Sequence, residues 1–179
     1  MEELERLSRM IFHIYNQSND RSSIFREHEN YQFFLGKMIR QLKPVSHLLA
    51  YCLMPNHFHF LLIPKTDFRS GLNLEKVPLD VMPTTELSEA MKRLQMGYTK
   101  SFNKYFGLSG SRFRQDAKAI LHSQGIRKGF WYIHNNPVKA KLVEKPSEWG
   151  YSSYNEYFGF TPPRECICDV ELGRSLMKL

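Results

Sequence analysis

Two pairs of residues have types and spacings that could do chemistry. His57 and His59 lie two apart in residues 54–63, MPNHFHFLLI, and alternation along a β-strand turns positions i and i+2 to one face. Two imidazoles on one face suit a divalent cation, since neutral imidazole is the commonest side-chain metal ligand. Strand histidines can also be partly exposed or hydrogen-bonded within a packed sheet, and the spacing alone leaves both readings open. Tyr132 and Asn136 are the second pair. Four apart in a segment of helical periodicity, they share a face and reach the same region of space.

The elements that must hold these pairs can be read from hydrophobic period and turn chemistry. Phe58, Phe60 and Leu62 occupy the face opposite the histidines while Leu61 and Ile63 continue the histidine side, so the strand is apolar on both faces and central to its sheet. Residues 45–54 form its hairpin partner through a tight Pro55-Asn56 turn, which puts the histidines next to a turn and near a sheet edge. Residues 8–16 predict a first strand that contains His13, read as a packed or satisfied histidine because no second ligand stands at strand spacing. Residues 29–42 carry an apolar stripe of Tyr31, Phe34, Leu35, Met38, Ile39 and Leu42 and stop at Pro44, the pattern of an amphipathic helix.

Residues 64–85 lose periodicity and hold three prolines, which predicts a long loop or insertion. A second long helix runs from an N-cap at Thr85 to about Tyr105, apolar on one side and basic on the other through Lys92, Arg93, Lys100 and Lys104. The following GLSGSRFRQ is a turn with two arginines, and residues 116–123 predict a last strand. Residues 124–136 predict a third helix, stopped by Pro137. The aromatic run WGYSSYNEYFGF predicts a packed tail, and Cys166-Ile167-Cys168 has the alternation of a strand.

Composition narrows the function classes. With 179 residues, 42% hydrophobic and 24% charged, the chain has globular proportions and no apolar stretch of the roughly 18–20 residues that a membrane span requires. The acidic start MEELERLSRM does not read as a signal peptide. Three cysteines without a CxxC pair argue for a reducing cytoplasm and against a disulfide framework. A net charge of +7 permits a polyanionic partner without requiring one.

Three blocks together give a family resemblance: AYCLMPNHFHFLLIP at 50–64, YTKSFNKYFGLSG at 98–110 and YIHNNPVKAKLVEKPSEWGYSSY at 132–154. They resemble the single-tyrosine HUH transposases, and within them the transposase-like proteins associated with repetitive extragenic palindromes (REP). The likeness covers roughly residues 8–159 and implies an α+β fold: a ferredoxin-like antiparallel sheet with helices packed on it, the histidine motif on a central strand and the nucleophilic tyrosine on a C-terminal helix. The domain would take in residues 1–160, with 161–179 as a C-terminal extension.

The resemblance also implies a chemistry. Tyr132 maps to the nucleophile, His57, His59 and Asn136 to the ligands of a divalent metal, Mg2+ or Mn2+, and Lys118 to a retained DNA contact; the basic helix face and the turn after it add Arg93, Lys100, Lys104, Arg112 and Arg114 as candidate DNA contacts. Imidazole ligands by themselves would point to zinc or manganese. The implied partner is hairpin-containing single-stranded DNA, bound by a monomer or homodimer. The implied reaction is cleavage and rejoining through a 5′-phosphotyrosine. A non-catalytic DNA or RNA hairpin-binding protein on the same fold is the alternative. A zinc-stabilised interaction domain using His57 and His59 with Cys166 or Cys168 is a third reading. The chain departs from the family pattern at Asp116, where the family often has arginine, and in the length of the 64–85 loop.

Overall fold

The computed structural model describes residues 2–65, 82–121, 126–159 and 166–178. Its elements are α1 (Glu2–Ser8), β1 (Phe12–Gln17), α2 (His28–Leu42), β2 (Ser46–Met54), β3 (His57–Pro64), α3 (Thr85–Phe106), β4 (Lys118–Leu121), α4 (Ile126–His134), α5 (Asn136–Lys139), α6 (Tyr154–Phe158) and α7 (Val170–Met177). The four strands form one antiparallel sheet in the order β2-β3-β1-β4. With α2 and α3 as the connections, the succession β1-α2-β2-β3-α3-β4 is the ferredoxin-like arrangement. The histidine strand β3 is therefore central, as its two apolar faces require. Its histidines are reached from the hairpin end of the strand; β3 is not an edge strand.

Register assigns the two faces. Gln17 lies opposite His57, Tyr15 opposite His59 and also opposite Lys118, and His13 opposite Leu61 and Ile120. All of these belong to one face, because directly paired residues project the same way. The other face carries Ile14, Phe58, Phe60 and Leu62, and it packs on α2 and α3. Phe34 is fully buried there, with ring centres 5.5 Å from Phe58 and 5.1 Å from Tyr98. Each such side chain contributes about 1.5–3 kcal/mol through apolar burial.

The helix ends follow local chemistry. Thr84, one residue before the Thr85 expected from sequence, is the N-cap of α3, its Oγ1 accepting from the Leu87 N–H at 3.1 Å. Either threonine satisfies the sequence pattern, but only Thr84 has the extended backbone, φ −139°, that an N-cap needs. Gly107 ends α3 at φ 63°, a left-handed conformation that costs a residue with a Cβ about 1–2 kcal/mol.

Several expectations are corrected. Helix α4 ends at His134, Asn135 forms a turn, and Asn136 opens the separate short helix α5 with Pro137 behind it. Proline supplies no N–H to continue the α4 ladder, so the helix stops two residues before the expected Asn136. Cys166 and Cys168 are not in a strand; they lie in a bend that leads into α7, capped by Asp169. Residues 2–8 are helical, α1 having no buried residue to signal it in the sequence. The expected loop over 64–85 falls mostly on residues outside those described, as do residues 124–125 of the expected third helix and the proposed domain boundary at 160–161.

The aromatic tail packs, as its composition suggests. Tyr151 stacks on Tyr31 at 3.6 Å between ring centres, and Trp149 Nε1 donates to the Leu53 carbonyl at 3.0 Å. These contacts cover the outer edge of β2, together with the N–H of Asp169, which donates to the Leu48 carbonyl at 2.8 Å. No helix among the described residues is long and apolar enough to cross a membrane.

Candidate active site on the histidine face of the sheet

The site begins with the hairpin turn. The N–H groups of Ile24 and Phe25 both donate to the Pro55 carbonyl, at 2.8 and 3.0 Å, and Ser18 N–H donates to the Asn56 carbonyl at 2.8 Å. The loop after β1 thereby clamps the turn that precedes His57. Asn56 Nδ2 donates to the Arg21 carbonyl at 3.2 Å, which leaves its Oδ1 to accept from His57 Nδ1–H at 2.6 Å. That bond defines the His57 tautomer: the proton is on Nδ1 and the lone pair on Nε2.

His57 and His59 stand with ring centres 5.0 Å apart and planes at 84°. His59 is 6% exposed, and burial, aided by the neighbouring His13 and His57, pushes its imidazole down to about 2. Burial lowers His57 as well. Both rings are neutral at physiological pH, the form that ligates metals.

His13 lies across the strand pair from them, its Nε2 2.9 Å from His59 Nδ1. Read from sequence as a packed or satisfied histidine, it is satisfied by one member of the pair itself. Nothing in the linear spacing marks it, because the contact runs diagonally across the β1-β3 register. Tyr15, also unmarked in the sequence, fills the remaining space with ring centres 5.2 Å from His13 and 5.9 Å from His59.

Helix α4 brings Tyr132 to this face. Its ring is edge-on to both His13 and His59, with centres 5.8 Å away in each case. It is 45% exposed, open on the side away from the sheet, where Lys139 Nζ lies 5.2 Å from the ring centre. The helix is anchored by His134, two residues on. That ring is fully buried, donates from Nδ1 to the Phe130 carbonyl at 3.0 Å and accepts from Ser153 Oγ at 2.8 Å. Burial pushes it down to about 3. Its place is structural.

Asn136 follows Tyr132 but spends its Nδ2 on its own chain, donating to the Tyr132 carbonyl at 3.0 Å and the Ile133 carbonyl at 3.4 Å. Its Oδ1 carries no hydrogen bond among the described residues. The expected basic residues divide between the two sides of the sheet. Lys118 is opposite Tyr15 and so faces the histidine side. The Gln17 amide oxygen, turned toward the guanidinium that faces it, accepts from Arg114 at 2.9 and 3.0 Å. Arg112 is in the preceding loop and donates to the Ser109 carbonyl. Arg93, Lys100 and Lys104 are on α3, which packs on the opposite face. Arg93 is there paired with Glu89 at 3.2 Å and Gln41 at 3.0 Å.

The residues fit a divalent cation. Metal–nitrogen bonds of about 2.1 Å place two imidazoles on one ion about 5 Å apart centre to centre, which is the separation seen. Among the described residues no cluster of three or more His, Cys, Asp or Glu is poised for a metal, so further ligands would be the Asn136 amide oxygen, water or substrate. Cys166 and Cys168 are elsewhere: the Cys168 N–H donates to Glu156 at 2.8 Å and the Cys166 carbonyl accepts from Lys43 at 3.2 Å. That arrangement removes the zinc reading built on them.

No protein-family model matches the chain. A protein of Haemophilus influenzae (strain ATCC 51907 / DSM 11121 / KW20 / Rd) described as "Putative REP-associated tyrosine transposase" is 26% identical over 110 residues, which span 60% of this chain and 58% of that protein. Among solved structures, one described as a REP-associated tyrosine transposase bound to a REP hairpin matches with a TM-score of 0.60 at 18% identity, covering 86% of this chain and 81% of that one. At that identity the match shows the fold: a four-stranded antiparallel sheet with packed helices. The three sequence blocks and these comparisons point the same way: the chain is similar in sequence over 110 residues, and in fold over most of its length, to proteins described as REP-associated tyrosine transposases.

Proposed function

We propose that the protein is a metal-dependent single-stranded DNA endonuclease and strand transferase, acting on hairpin or repeat DNA with Tyr132 as its nucleophile. The observation that carries the reading is the placement of the half-exposed Tyr132 ring over His13 and His59, 5.8 Å from each. A phenol serving only the core would be covered; this one faces His13 and the buried His59 on one side and solvent on the other. The names of the relative and of the structural neighbour supply the substrate class, the neighbour being bound to a REP hairpin.

In this reading His57 and His59, through Nε2, and Asn136, through Oδ1, would hold Mg2+ or Mn2+. When bound, the cation supplies Lewis acidity at a phosphate oxygen. Tyr132 Oη forms a bond to phosphorus as the bond to the 3′ oxygen breaks. The phenol proton is released and the departing oxygen leaves as a 3′-hydroxyl. The covalent 5′-phosphotyrosine conserves the phosphodiester energy, so the same hydroxyl or another can attack it and rejoin a strand. Arg114 and Lys118, on the histidine side, would hold flanking phosphates.

The test is a denaturing gel of the purified protein with labelled single-stranded DNA from the sequence flanking its own gene, in magnesium, manganese or chelator, beside Tyr132→Phe. A metal-dependent adduct, stable to heat and detergent and lost in the variant, is the expected result. Absence of any adduct, with salt-sensitive shifts on a native gel, would instead establish a non-cutting hairpin binder.

A further inference from the structure

A single proton occupies the 2.9 Å line between His13 Nε2 and His59 Nδ1, and which ring owns it decides what His59 can do. If His13 donates, His59 must carry its own proton on Nε2. That N–H would find no protein acceptor among the described residues, and a ring only 6% exposed gives it little contact with water. A donor so poorly satisfied is costly. If His59 donates, Nδ1 is satisfied and Nε2 keeps a lone pair, which is the less costly atom to leave unpaired. His57 is already in this form, its Nδ1–H held by Asn56.

We propose that His13 is a positioning residue: by accepting from His59 Nδ1–H it holds that ring in one tautomer and one rotation, with the Nε2 lone pair presented to the site. The two imidazoles then carry matching outer supports, Asn56 for His57 and His13 for His59, supplied by the turn and by the neighbouring strand. The same contact explains why β1 brings a histidine to this face at all. An aliphatic residue opposite Leu61 would pack as well but leave His59 free to flip. Outer partners of this kind are worth about 10–100-fold in metal affinity. The consequence for metal rests on the function proposed above; the tautomer assignment does not.

Two measurements separate them. The first is nitrogen-15 NMR of the metal-free protein with labelled histidine, in which the long-range couplings of each ring report its protonated nitrogen. His59 is expected as the Nδ1–H tautomer in the wild type and in His13→Gln, whose amide oxygen can still accept, and as a mixture or the Nε2–H tautomer in His13→Phe. An Nε2–H His59 in the wild type, or no change in His13→Phe, overturns the proposal. The second is a Mn2+ titration followed by electron paramagnetic resonance. It is expected to give affinity about 10–100-fold weaker in His13→Phe and recovered in part in His13→Gln. Equal affinity in all three overturns the positioning role. A wild type that binds no Mn2+ removes the metal reading, and the NMR result still decides the tautomer. His13→Gln also guards against misfolding, since thermal unfolding of a folded variant stays close to wild type.

Discussion

The side-chain amide of Gln17 accepts two hydrogen bonds from the Arg114 guanidinium, at 2.9 and 3.0 Å, directly across the strand pair from His57. The Arg114 backbone is fixed as well, its N–H donating to the Gln17 carbonyl at 2.9 Å. A guanidinium with its rotation already restricted loses less entropy on meeting a phosphate. On a single strand the slope of log affinity against log salt is about −0.7 per phosphate neutralised. Arg114→Ala and Lys118→Ala should each weaken DNA binding and flatten that slope by about 0.7. Arg93→Ala, on the other side of the sheet and already paired with Glu89, should leave it unchanged. Filter binding between about 50 and 200 mM salt checks this, and an unchanged slope in Arg114→Ala would remove the phosphate role.

The elements that carry the candidate site are written into local pattern, whereas their supports are not. Period-two alternation in MPNHFHFLLI puts His57 and His59 on one face of a central strand, and the 29–42 stripe marks α2 to within one residue. Both signals come from side chains facing a core and need no knowledge of distant neighbours. The His13–His59 and Gln17–Arg114 contacts depend on strand register and loop path, which are properties of the assembled sheet. The break between α4 and α5 was hinted at by Pro137, but where a helix ends before a proline depends on which carbonyls find other donors. Here Asn136 Nδ2 takes those of Tyr132 and Ile133.

Acid should destabilise the metal-free protein from near neutrality downward. His134 is pushed down to about 3 and His59 to about 2 by burial, from an ordinary 6.5. Below 6.5 the unfolded chain takes up protons that the folded one does not, so stability falls with falling pH until the folded values are reached. Each ring contributes at most about 1.4 kcal/mol per pH unit in that window. Glu156, raised by burial, acts in the opposite direction, but only above its ordinary value of 4.5 and up to its raised one. Urea unfolding in chelator should therefore show a loss of about 2–3 kcal/mol between pH 7.5 and 5.5. His134→Gln should roughly halve the dependence. A flat profile would contradict the neutral buried state of both rings.

Ser153 joins α4, the helix of Tyr132, to the edge of the sheet. Its hydroxyl donates to His134 Nε2 at 2.8 Å, and its oxygen accepts from the Tyr51 N–H at 2.9 Å. Ser153→Ala would strand both partners in a site with no exposure, at a cost of about 1–3 kcal/mol for each buried group left unpaired. The expected outcome is a loss of about 2–4 kcal/mol in chemical denaturation. Cys at the same position, a weaker hydrogen-bonding group of similar size, should recover part of it. A loss below about 1 kcal/mol would mean that water replaces the hydroxyl.

Helix α7 docks through the absence of a side chain. A Cβ on Gly173 would fall against the Tyr157 hydroxyl and ring, and that hydroxyl donates to the Leu49 carbonyl at 2.6 Å. Gly173→Ala therefore either drives Tyr157 off its hydrogen bond or lifts α7 away from the sheet. Overpacking of this kind costs about 1–3 kcal/mol, offset in part by the better helix propensity of alanine, about 0.8–1 kcal/mol. The net expectation is a loss of about 1–2 kcal/mol. Tyr157 also packs edge-on against Phe130, with ring centres 4.8 Å apart, on the helix that carries Tyr132. The displacement should thus reach the candidate site, slowing adduct formation without changing the salt slope of DNA binding. Gly173→Ala combined with Tyr157→Phe, which removes the obstructing oxygen, should restore the rate. If the double variant is slower than Gly173→Ala alone, the coupling does not run through Tyr157.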